Sequence, residues 1–106
     1  MSSTAVAASD FTRQAGEAVS LLKVMANEIR LLVLCHLAEA DELSVGELMD
    51  RVGLSQSALS QHLALLRQDG LVSSRREAQT VYYSLAPGPA GRILETLHGI
   101  YCATDR

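Results

Sequence analysis

Cysteine is scarce in this sequence. Its 106 residues hold two, Cys35 and Cys102, with no CxxC pair and no repeated spacing of the kind that wraps a zinc ion. A small dithiol oxidoreductase would need a close pair and a neighbouring general base, and neither is visible. No enzymatic activity and no cofactor are therefore expected. Charge is sparse too, at 20% of residues with a net of −3, which on its own argues against nucleic acid as a partner. No apolar run approaches membrane-spanning length. Met1 to Ser9 lacks the basic start and apolar stretch of a secretory signal. It reads as a flexible N-terminal tail on a cytoplasmic protein whose residues 10–106 form one domain, without repeat or linker. What the chain does have is hydrophobic residues, 48% of the total. That is high for so small a body and predicts that some apolar surface meets a partner chain.

The charge is unevenly spread. Residues 51–85 hold Arg51, Arg67, Arg75 and Arg76 against Asp69 and Glu77, a local excess of positive charge. The acidic groups gather elsewhere, in Glu39, Asp41, Glu42, Glu47 and Asp50. Local potential matters more than the total once salt has screened distant groups.

Periodicity and caps divide the chain. A first helix is expected from about Asp10 to Met25, with Ala15, Val19, Leu22 and Ala26 on one stripe. Asn27 can cap a second, whose "IRLLVLCHLA" is apolar nearly all round and so should be buried. In "LSVGELMDRV", Ser44 and Glu47 form a capping box that starts a short third helix ending before Gly53. Ser55 caps a fourth, stopped by Gly70 in a left-handed conformation. "LVSSRR" and "VYYSL", separated by "EAQT", read as a hairpin. After Pro87 and Pro89, "AGRILETLHGIYC" reads as the last helix.

The fourth helix carries the clearest functional signal. With Gln56 first and about 100° per residue, Leu59, Leu63 and Leu66 share one side, with His62 at its margin. Ser57, Ser60, Gln61, Ala64 and Gln68 take the opposite side. A merely solvated face more often alternates Glu and Lys, which aid helix stability, and here both are missing. Amides and hydroxyls suit base edges in the major groove, and short side chains permit close approach. A preceding helix, a tight turn at Gly53 and a following hairpin complete a winged helix-turn-helix, mainly α with a β-hairpin wing. Ser55, Gln56, Ser57, Ser60, Gln61 and Arg67 are the candidate DNA-reading residues on the helix. Arg75 and Arg76, beside the hairpin tip, are candidates for phosphate or minor-groove contact.

"ANEIRLLVL", "LSVGEL", "LSQSALSQHLALLRQDGLV" and "RREAQTVYYSL" together resemble the ArsR/SmtB family of bacterial winged-helix regulators, over about residues 15 to 103. The resemblance implies a homodimer, built mainly by the first and last helices, that binds an imperfect inverted repeat in double-stranded promoter DNA. The stripe Ile93, Leu97 and Tyr101 fits that pairing role. Many members sense metals. The usual third-helix motif has cysteines where this chain has Ser44 and Gly46, and the last helix offers only Glu95 and His98 where a second metal site needs Asp and His pairs. No metal is expected. His36, His62 and His98 are isolated.

The thiol-based branch of that family, which contains HlyU, BigR and SqrR, is the most similar. It carries one cysteine in the second helix and one near the end of the last, positions that Cys35 and Cys102 match. The implied chemistry is a redox switch. Persulfides, other reactive sulfur species or oxidants join the two sulfurs within a subunit, directly or through extra sulfur atoms, and DNA is released. Apart from the resemblance, Cys35 also reads as a small core residue and Cys102 as a bystander near a helix end. Burial in an apolar helix would raise the Cys35 pKa, and a helix C-terminus disfavours thiolate at Cys102. Repression, activation by displacing a silencing protein, DNA binding without thiol sensing, and a pure interaction scaffold stay open at this point.

Overall fold

In a computed structural model, residues 11–102 are described. The expected tail over residues 1–9 lies outside them, as do residues 10 and 103–106. Five helices and three strands follow in the order α1 (Ala15–Met25), α2 (Glu28–Ala40), β1 (Leu43–Ser44), α3 (Val45–Val52), α4 (Gln56–Gln68), β2 (Val72–Glu77), β3 (Thr80–Leu85) and α5 (Ala90–Tyr101). The strands form one antiparallel sheet in the order β1-β3-β2. This is a winged helix-turn-helix.

Local chemistry sets most boundaries. Asn27 caps α2 by accepting the Arg30 N–H at 3.0 Å. At the start of α3 the Ser44 hydroxyl accepts the Glu47 N–H and the Glu47 carboxylate accepts the Ser44 N–H, at 3.1 and 2.8 Å. Two orphan donors are thus satisfied reciprocally. Gly70, at φ 78°, closes α4. Its N–H reaches Arg67 O while the Leu71 N–H reaches Leu66 O, the paired bonds of a Schellman motif. The tight turn between α3 and α4 needs a left-handed residue, and Gly53 supplies it at φ 72°.

The core lies where α2, α3 and α4 meet the sheet. Val33, Leu34 and Leu37 of α2, Leu48 of α3, and Leu59, Leu63 and Leu66 of α4 are all nearly inaccessible. Each such side chain contributes about 1.5–3 kcal/mol over its exposed state. Tyr83 and Leu94 close the edges.

Four expectations need correction. The first helix is not continuous: residues 11 and 12 are helical, a turn closed by the Gln14 N–H on Phe11 O interrupts at 13–14, and the regular helix resumes at Ala15. A two-residue strand, β1, precedes α3; it pairs Leu43 with Tyr83 and Ser44 with Tyr82. The hairpin turn is two residues long, since Glu77 already pairs with Thr80, and Ala78 takes φ 57° there. Finally, α2 is not buried all round: Leu32 and Cys35 face outward while Val33, Leu34 and Leu37 face the core.

Candidate nucleic-acid interface and thiol pair

Helix α4 stands proud of the body with its polar side outward. Leu59, Leu63 and Leu66 fix its roll, so the residues about 180° away must face solvent. Ser55, Gln56, Ser57, Ser60, Gln61, Ala64, Arg67 and Gln68 are all exposed. Ser55 serves as N-cap, accepting the Ala58 N–H at 3.3 Å, and its hydroxyl lies 3.4 Å from that of Ser57. Among the described residues no intramolecular hydrogen bond engages the side chains of Gln56, Ser60, Gln61 or Arg67. Their donors and acceptors are unspent. A surface of that kind can match the pattern presented by base edges.

The wing adjoins this face. Gln56, at the start of α4, and Gln79 and Thr80, at the wing tip, line one notch with Ser44, Gly46 and Met49, of about 380 Å³. Gln79 and Thr80 were missed in the sequence because "EAQT" reads only as a turn; the notch adds them as candidates.

The two wing arginines differ. Side chains alternate along a strand, and Val72 and Tyr83 mark the core side of the hairpin. Arg76 shares that side, toward the helices, and makes no ion pair among the described residues. Arg75 lies on the outer side and is engaged three times. Its Nε and Nη2 donate to the Glu42 carboxylate at 2.7 and 2.8 Å, and its Nη1 donates to Glu77 at 3.0 Å. Its guanidinium also lies 4.5 Å from the Tyr82 ring centroid. The Arg75 hydrogen bond holds the Glu42 carboxyl below its ordinary range. Arg75 therefore links the wing to the segment before β1, its charge already paired with two carboxylates. Glu42 was unreadable as its partner from sequence.

His62 meets an arginine. Its Nδ1 lies 3.4 Å from Arg30 Nη1, and Arg30 Nε also donates to Val24 O at 2.6 Å. Arginine has no acceptor, so in this contact the guanidinium is the donor and Nδ1 the acceptor. Arg30 thus ties the end of α1 and helix α4 to α2.

Both thiols are free and exposed, which goes against the alternative reading of Cys35 as a small core residue. Cys35 opens into a groove of about 400 Å³ between α2 and α5, bordered by Leu32, His36, Glu39, Leu94 and Glu95. The Nδ1 of His36 is buried there without a partner. Cys102 caps the C-terminus of α5, its N–H bonded to His98 O at 2.8 Å. Partial burial pushes the Cys35 thiol pKa up, and the neighbouring Cys102 and Glu39 charges push it further. Among the described residues no three His, Cys, Asp or Glu side chains gather as a metal site, and no helix is long and apolar enough to cross a membrane.

Large apolar side chains are also exposed on the first and last helices. Val19 and Leu22 of α1 and Ile100 and Tyr101 of α5 are 49%, 51%, 60% and 77% accessible. The stripe expected on the first helix faces away from this subunit's own core, which α1 meets instead through Met25, Leu21 and Val24. On α5, Ile93 and Leu97 are half-buried and Tyr101 is open.

Comparison with known proteins gives consistent matches. The family model described as "Bacterial regulatory protein, arsR family" matches residues 27–74. The transcriptional activator HlyU of Vibrio cholerae is 54% identical over 97 residues, covering 92% of this chain and 89% of its own. The biofilm growth-associated repressor of Xylella fastidiosa is 37% identical over 97 residues, covering 92% and 84%. Among solved structures, reduced HlyU from Vibrio cholerae has a TM-score of 0.83 at 56% identity, covering 88% of this chain and 97% of that one. The repressor BigR from Xylella fastidiosa has a TM-score of 0.85 at 36% identity, covering 93% and 100%.

Proposed function

The chain belongs to the ArsR family of bacterial regulatory proteins, and from that premise we propose that it is a homodimeric, thiol-switched repressor of transcription. As a transcriptional regulator of the HlyU and BigR type it has DNA as its partner. In the proposal, two copies pair through the exposed apolar sides of α1 and α5. Each presents α4 to one half of an imperfect inverted repeat in promoter DNA. The observation that carries this reading is the outward face of α4: wholly exposed, uncharged apart from Arg67, and with its amides and hydroxyls unspent.

The switch acts on the pairing helices. Joining Cys35 to Cys102 removes two protons and two electrons from the thiols, and a persulfide or other oxidant accepts the electrons. A direct disulfide needs Cβ atoms about 3.8 Å apart, while inserted sulfur atoms bridge a wider gap. Either link pulls α5 against α2. The two reading helices must meet major grooves about 34 Å apart, so a displacement of a few ångströms weakens binding. Typical coupling of 1–3 kcal/mol corresponds to roughly a 5- to 150-fold change in affinity. The protein works in this reading as a binding switch in the cytoplasm, without catalytic turnover and without a cofactor or metal.

The test is a gel shift with the gene's own upstream DNA, using reduced and persulfide-treated protein. Reduced protein binds and treated protein is released; Cys35→Ser binds but ignores the treatment. Equal binding by reduced and treated protein would overturn thiol sensing while leaving DNA binding intact. A second reading, activation by displacing a silencing protein, is favoured by the identity to a protein named a transcriptional activator. Transcription with purified polymerase alone separates the two, since only a repressor lowers the transcript.

A further inference from the structure

The thiol groove holds two carboxylates that the switch chemistry does not use. Glu39 lies one turn beyond Cys35 on α2, and Glu95 borders the same groove from α5. Both are exposed, and neither makes an ion pair among the described residues. The remaining lining is apolar or histidine, with Leu32, Leu94, His36 and His98 in it and no lysine or arginine. Glu39 is close enough for its charge to be felt at Cys35.

We propose that Glu39 and Glu95 act as a charge filter, admitting uncharged sulfur donors to Cys35 and turning away anionic ones. This deepens the thiol-sensor reading and rests on it. A low-dielectric wall beside fixed charges of one sign focuses their field along the approach path. An anion must enter against two carboxylates, whereas a neutral molecule meets mainly the apolar side chains. The preferred donor is an uncharged hydropersulfide, RSSH. The Cys35 thiolate attacks its terminal sulfur, the S–S bond breaks, and RS⁻ leaves with the electron pair, giving Cys35–S–SH. The Cys102 thiolate then attacks the inner sulfur and HS⁻ leaves. Two cysteine thiols are thereby oxidised to a disulfide, and the donor's outer sulfur is reduced to sulfide. A persulfide that carries carboxylates would undergo the same chemistry but arrive more slowly.

Reaction rates of probe disulfides test this without depending on DNA. Cys102→Ser leaves Cys35 as the only thiol. Its rate is measured at one mildly alkaline pH with uncharged dithiodipyridine and with dianionic dithiobis(nitrobenzoate). Each rate is divided by that of the same variant unfolded in urea, which removes intrinsic reactivity. The expected result is discrimination against the dianion on the order of tenfold. It should fall toward unity when Glu39→Gln and Glu95→Gln are added, and also when salt is raised on the protein without those changes. Equal relative rates for the two probes, or discrimination that survives both treatments, would overturn the filter. Gel shifts keep the two claims apart. If an uncharged persulfide fails to release DNA while the discrimination holds, the sensor reading fails and the filter stands.

Discussion

Helix α4 and the α1–α5 pair both present an open surface, yet they are built in opposite ways. On α4 the leucines at positions 59, 63 and 66 are sunk in the core and what remains outside is serine and glutamine. On α1 and α5 large apolar side chains stay outside, with Val19, Leu22, Ile100 and Tyr101 about half or more accessible. Large apolar side chains left this exposed mark places where another surface belongs. An exposed face of unspent amides and hydroxyls is indifferent to apolar contact but suited to a polar, hydrogen-bonding partner. The contrast assigns the two halves of the proposed mechanism, one face to a second copy and the other to the duplex.

The sharpest way to break the contrast is to place charge on the apolar side. Leu22→Glu with Ile100→Glu should cost the pairing about 4 kcal/mol or more. Sedimentation should then show monomers, and specific DNA affinity should collapse with them. A dimer that survives both changes would move the interface elsewhere. Cutting the buried side of α4 acts differently. Leu63→Ala should lower unfolding stability by about 2–5 kcal/mol, read by denaturant melts, through the cavity it leaves.

Within the wing the contrast is finer. Arg76→Ala should weaken binding to all sequences and reduce the salt slope by about one unit. Arg75→Ala should leave that slope nearly unchanged, since its charge is already spent on Glu42 and Glu77. Equal slopes for the two variants would contradict the division between outer and inner wing faces. The smallest effect concerns pH. Because its surroundings disfavour the thiolate, Cys35 in the Cys102→Ser protein should alkylate with a rate profile whose midpoint lies above that of a free cysteine. That variant retains the burial and the Glu39 charge but loses the Cys102 contribution. A midpoint below the free-cysteine value would mean that Cys35 is activated, against the desolvation and Glu39 charge described above.

Much of this was legible because caps are local chemistry. Asn27, Ser44 with Glu47, Ser55 and Gly70 each act within a few positions, and each appears where the residues placed it. The polar face of α4 was equally legible, since the 3.6-residue repeat fixes which side leucine occupies. What stayed hidden depends on distant partners. Strand β1 exists only because Tyr82 and Tyr83 pair with it. Glu42 captures Arg75 across 33 positions. The apolar composition of α2 gave no sign of which side lacks a neighbour, so a core place for Cys35 stayed open as an alternative although it lines an open groove.

The central claim is that the exposed side of α4 reads bases, and Gln61 tests it most directly because its amide is exposed and unengaged. Fluorescence anisotropy with the upstream duplex and with an unrelated duplex would compare the native protein with Gln61→Ala. The account predicts a loss of about 1–3 kcal/mol on the upstream site and almost none on unrelated DNA. Unchanged affinity for the upstream site would contradict it.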